Sequence, residues 1–138
     1  MQEQNEAWPV LGIDLTLLRT EDGGRRKTLS APYEACAFRP NWRLSGMSRL
    51  EQLGAPVLCF GGLPLGPGGR TRAVIVPFAE ASLPLWHDVD SGHLLEMMEG
   101  PAIRGHAVVE WIAPSRRPIA DEDVDRFRLW AEGGAAPI

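Results

Sequence analysis

The sequence predicts an all-β barrel or sandwich that ends in one short helix. Apolar residues recur at period two in Leu11, Ile13, Leu15 and Leu17, and again in Ala107, Val109 and Trp111, as in strands with one buried face. Turn signals fall every 8–15 residues, supplied by 15 Gly and 12 Pro among 138 residues. Short strands at such intervals argue for an all-β barrel or sandwich. Beyond Pro118 the apolar spacing changes to three and four, which is helical.

The elements follow in order. Residues 1–7 are polar and acidic and read as a tail. Val10 to Leu18 is the first strand, and Thr20-Glu21-Asp22-Gly23-Gly24 is a turn after it. Tyr33 to Phe38 alternates and reads as a strand stopped at Arg39-Pro40, since proline has no N–H to give a ladder. Asn41-Trp42-Arg43-Leu44 extends it, and Met47, Leu50 and Leu53 stand at helical spacing between Ser45 and Ala55. Pro56 to Phe60 is a compact apolar strand, followed by a loop with five Gly and two Pro in residues 61–69. Thr71 to Phe78 carries the β-branched run 74–76, with Pro77 marking an edge or bulge. Leu94 to Met98 and Ala102 to Ile112 are strands about the Gly100-Pro101 turn. Asp121 is placed to cap the final helix, Glu122 and Asp123 bring negative charge to its first turn, and Gly133-Gly134 ends it. The reading is one domain: tail 1–7, barrel 8–113, helix 119–132.

Composition removes several functions. A Walker A loop needs a lysine at the phosphates, and the single lysine, Lys27, follows Arg26 rather than glycine. No binding of GTP or ATP is expected. The net charge is −4 and the isoelectric point about 5.3, so the whole molecule is not a polyanion binder, although Arg25, Arg26 and Lys27 form a local basic run. Thirteen arginines against one lysine fit a GC-rich genome. Cys36 and Cys59 form no Cys-x-x-Cys pair. With no signal-like N-terminus and no apolar run long enough for a bilayer, the expectation is a cytoplasmic protein with free thiols.

Catalytic constellations are sparse. His87, Asp88, Asp90 and His93 gather within seven residues, and a metal would need three or four such groups to converge. A polar loop explains them without a ligand. His106 and Glu110 share a strand face four residues apart, about 13 Å in an extended chain and too far for an acid–base pair. No catalytic residue and no cofactor is expected.

One series of motifs says more. The first strand, the run Gly23-Gly24-Arg25-Arg26-Lys27-Thr28, the stretch Phe38-Arg39-Pro40-Asn41-Trp42, then Asp90-Ser91-Gly92, Gly100-Pro101-Ala102-Ile103 and Gly105-His106-Ala107-Val108-Val109 together resemble the C-terminal β-barrel domain of elongation factor Tu. Order and spacing agree from about Val10 to Ile112. The chain departs from that family in Phe38 for a tyrosine, in a longer 46–69 connection, in His93 for an acid, and in having no GTPase domain. The resemblance implies a six-stranded antiparallel Greek-key barrel. It also implies a surface of the kind that meets the T-stem of aminoacyl-tRNA and packs on protein partners, with Gly23, Gly24, Arg25 and Thr28 in the loop that approaches RNA.

Three functions follow as expectations. The first is a non-enzymatic binding module with a protein partner. The second is a translation-associated tRNA or RNA binder using Arg25, Arg26, Lys27, Thr28, Arg39 and Arg43. The third is a small ligand- or metal-binding barrel enzyme with a site at His87, Asp88, Asp90 and His93.

Overall fold

A computed structural model of the chain describes residues 7–30, 35–44, 46–47 and 51–138. Seven strands pair antiparallel in the spatial order β3-β2-β6-β7-β1-β5-β4. In chain order these are β1 (Trp8–Leu17), β2 (Asn41–Leu44), β3 (Leu53–Gly54), β4 (Val57–Phe60), β5 (Arg70–Ile75), β6 (Leu94–Glu99) and β7 (Ala102–Ser115). Among the described residues two α-helices accompany them, α1 (Leu83–His87) and α2 (Asp121–Ala131). No helix among the described residues is long and apolar enough to cross a membrane.

The sheet curls into a half-barrel instead of the closed six-stranded barrel expected. Its two edge strands, β3 and β4, are consecutive pieces of one segment. Asn41 and Trp42 pair with Gly54 and Leu53, whereas Val57, Cys59 and Phe60 pair with Ile75, Val74 and Ala73. Pro56 lies between the two pieces and has no N–H to continue a ladder. Backbone bonds outside the strands draw the edges together: Val57 N–H donates to Phe38 O at 2.8 Å and Val76 N–H to Pro56 O at 3.0 Å.

Alternation on β1 sends Leu11, Ile13, Leu15 and Leu17 into the concave core, where they meet Trp42, Ile75, Leu95, Met97 and Val109. Trp86 of α1 and the bridged pair Leu29–Leu65 belong to the same core. The convex face carries a second core. Val10, Val74, Trp111 and Ala113 point outward there and are covered by Phe127, Trp130 and Ala131 of α2.

A bulge creates this second layer. Ile13 faces Val109 but Gly12 faces Trp111, so Glu110 is an extra residue on β7. The insertion reverses the face on which later side chains emerge. Val109 therefore enters the concave core and Trp111 the convex one, where the sequence had placed both on one face. Trp111 stacks on Phe127 with centroids 5.4 Å apart and meets Trp130 edge-on at 5.1 Å. Arg72 on β5 binds α2 at its end: Nη1 donates to Trp130 O (2.8 Å) and Gly134 O (3.0 Å), and the guanidinium lies 4.7 Å from the Trp130 ring centroid.

Further corrections concern local structure. Ala35 to Phe38 is a turn, not strand, with Cys36 at φ 62°; Tyr33 lies outside the described residues. Leu53–Gly54 is strand, so the helical spacing from Met47 does not reach it, and Leu50 lies outside the described residues. α1 was not expected. Pro77 and Phe78 fall beyond β5. The N-cap of α2 is Ala120, with Asp121 as its first helical residue.

Candidate functional site

The basic loop begins with a 3-10 turn at Thr20–Asp22, and Gly23 at φ 93° reverses the chain, a conformation that favours glycine. Thr20 Oγ1 donates to Arg25 O at 2.7 Å. Arg25 then turns back onto the sheet. It forms an ion pair with Glu99 of β6 and lies 5.6 Å from the Phe38 ring centroid. Arg43 of β2 is likewise paired with Glu96 of β6. Arg39 Nε donates to Cys36 O at 2.9 Å, and its guanidinium lies 6.0 Å from the Phe78 centroid. Two of the six residues expected at RNA, Arg25 and Arg43, are thus engaged by carboxylates of the protein itself, whereas Arg39 stays exposed. Arg26, Lys27 and Thr28 are exposed together at the loop, close in sequence to the acids Glu21 and Asp22, which pair with Arg19.

The histidine–aspartate segment follows α1. His87 is the last helical residue, Asp88 its C-cap, and Gly92 turns at φ 91°. His87 Nε2 lies 3.1 Å from Ala7 O. His93 Nδ1 accepts from the Asp90 backbone N–H at 3.1 Å, so that nitrogen carries the lone pair and the segment is tied as a turn. Among the described residues no three His, Cys, Asp or Glu side chains converge as a metal would require. His106 stands opposite Glu96 across the β6–β7 ladder.

Beside this segment lies a feature the sequence reading did not single out. Leu94 is 63% exposed, its cross-strand neighbour Val108 is 36% exposed, and Leu85 on α1 is 46% exposed. Leu85 and Leu94 share a depression of about 580 Å³ with Leu44, Met47 and Val89. Leu94 also borders a second depression of about 460 Å³, where Arg43, Glu96 and His106 form the rim. The doublet Leu94-Leu95 held the signal. In a strand only one of two adjacent residues can face the core, and Leu95 is the buried one.

Elsewhere on the convex face, Arg70 forks onto both oxygens of Asp14 and holds that carboxyl below its ordinary range. Burial pushes the Cys59 thiol up to about 11 and raises that of Cys36. Both cysteines are free, Cys59 buried and Cys36 half-buried. Iodoacetamide at pH 8 is therefore expected to label Cys36 slowly and Cys59 only after unfolding, as mass spectrometry of the timed reaction would record. The unfolded thiol ionises before the folded one, so the Cys59 contribution to stability is present below about pH 9 and lost as pH rises through about 11.

A scan against protein-family models matches no family, and a search of curated proteins finds no significant match.

Proposed function

We propose that the chain is a non-enzymatic, cytoplasmic binding module that engages a protein partner through the Leu85–Leu94–Val108 surface. The carrying observation is the exposed cross-strand pair Leu94–Val108, with Leu85 sharing a depression with Leu94 and with Arg43, Glu96 and His106 lining the other depression at Leu94. An apolar centre inside a polar rim has the anatomy of a protein interface, and contiguous exposed apolar surface marks contact sites. The resemblance to the C-terminal barrel of elongation factor Tu supports the same reading, because that barrel also packs on proteins. The free cysteines support a reducing compartment.

The test compares two leucines of equal exposure. Leu94→Glu should abolish co-purification of the partner, whereas Leu129→Glu on α2, where Leu129 is 65% exposed, should leave it intact. Quantitative mass spectrometry of the two eluates checks this; equal recovery would count against the reading.

The exposed trio Arg26, Lys27 and Thr28 favours RNA as a second reading. Phosphate contacts drive such affinity, but Arg25 and Arg43 are already paired with carboxylates. The wild type should therefore show little tRNA binding near physiological salt. Filter-binding titrations at several salt concentrations measure it. Submicromolar binding lost on replacing Arg25, Arg26 and Lys27 by Ala would reverse the order of the two readings.

A further inference from the structure

A second concavity shares no residue with the Leu94 surface. It is an apolar groove of about 300 Å³ between the 35–39 turn, the end of β5 and the start of α2. Leu58, Val76, Pro77, Ile119 and Val124 line it, and Phe78, 50% exposed, forms a lip. Two cations, Arg39 and Arg117, also line it.

Both are held in place by one bond each. Arg39 Nε donates to Cys36 O at 2.9 Å, and Arg117 Nη1 donates to Phe78 O at 2.6 Å. Their guanidiniums lie 6.0 and 5.5 Å from the same Phe78 ring centroid, so both stand beside the Phe78 lip. Arg117 is braced further by the Trp8 ring at 5.0 Å, and Trp8 Nε1 is fixed on Pro77 O at 2.9 Å. Neither arginine forms an ion pair with an acid among the described residues, unlike Arg25, Arg43 and Arg70. A guanidinium has five N–H donors in a planar fork suited to carboxylate, and one bond leaves most of them unspent. Both cations also act on the Cys36 thiol and oppose the effect of its burial.

We infer that this groove binds a small amphipathic carboxylate, its apolar chain against Leu58, Val76 and Val124 and its carboxylate between Arg39 and Arg117. The volume stands at the lower end of the range for small-ligand pockets, which limits the apolar part to a short chain or a single ring. Charge complementarity selects the head group. A neutral ligand would leave both guanidiniums without a counterion, and a short anion would leave the apolar wall uncovered.

The probes are octanoate, octan-1-ol and acetate, titrated into the wild-type protein by calorimetry and by amide-shift NMR. Octanoate should saturate with Kd on the order of 0.1–1 mM, as expected for so few atoms. Its shifts should centre on Cys36, Phe78 and Val124. Octan-1-ol and acetate should each bind at least about tenfold more weakly, since each loses one half of the recognition. Arg39→Gln and Arg117→Gln should each weaken octanoate about tenfold, and Val124→Trp should block it by filling the groove. Thermal melts of the variants separate loss of binding from loss of fold. The inference fails if wild-type protein does not saturate with octanoate, if octan-1-ol binds equally well, or if both folded arginine variants keep full affinity. None of these outcomes bears on the Leu94 surface.

Discussion

Trp42→Ala is expected to lower stability by about 4 kcal/mol, the cost of removing a fully buried indole from a packed core. Trp42 is 0% exposed on β2, paired with Leu53 on one side and Met97 on the other. It also makes a polar bond inside the core, with Nε1 donating to Ala55 O at 2.9 Å. That bond ties β2 to the segment in which the two edges of the sheet meet. Trp42→Phe separates the two contributions. It keeps a ring in the cavity but leaves the Ala55 carbonyl unpaired, and should cost about 2 kcal/mol. Domains of this size have only about 5–15 kcal/mol in hand, so the alanine variant should be near the edge of folding. Urea denaturation checks the order, with the midpoint falling from wild type to Phe to Ala. A Trp42→Ala midpoint close to that of wild type would show that the concave core is not organised around this residue.

Gly12→Ala is expected to cost about 3 kcal/mol, at the upper end for overpacking, and to lower Tm by roughly 10 °C. A Cβ at Gly12 would stand 2.1 Å from Trp111 Cε2. The indole cannot yield outward, because Phe127 stacks on it and Trp130 abuts it. One methyl group should therefore loosen α2 from the sheet. The cause is checked by a double-mutant cycle. In a Trp111→Ala background the same substitution should cost less than about 1 kcal/mol, because the clash has gone. Additive losses would mean that the glycine matters for a reason other than the indole above it.

These two sites differ in how much of them the sequence discloses. The period-two run of β1 is legible because all four apolar residues face one core. The same period in β7 misleads, since the bulge at Glu110 is set by pairing with β1, about a hundred positions away, and leaves no local mark. The split of 53–60 into opposite edges of one sheet is likewise a matter of partners rather than propensity. α1 did leave a signal in Pro84 at its first turn, but the polar residues after it suggested a loop. The basic run Arg25-Arg26-Lys27 is plain in the sequence, whereas the acid that claims Arg25 is Glu99, 74 positions on. Leu94 opens an apolar run that reads as strand throughout. Which member of the doublet faces outward depends on the register with Val108 and Ala107.

The proposed protein partner would seat on the Leu94 surface. A photo-activated crosslinking amino acid placed at position 94, and in a separate protein at position 129, tests it most directly. Both positions are exposed to a similar degree, so nonspecific capture should be equal. A discrete protein adduct is expected from position 94, present under native conditions, missing from position 129 and suppressed by Val108→Glu. Equal labelling from the two positions, or adducts at 94 that ribonuclease removes, would contradict it.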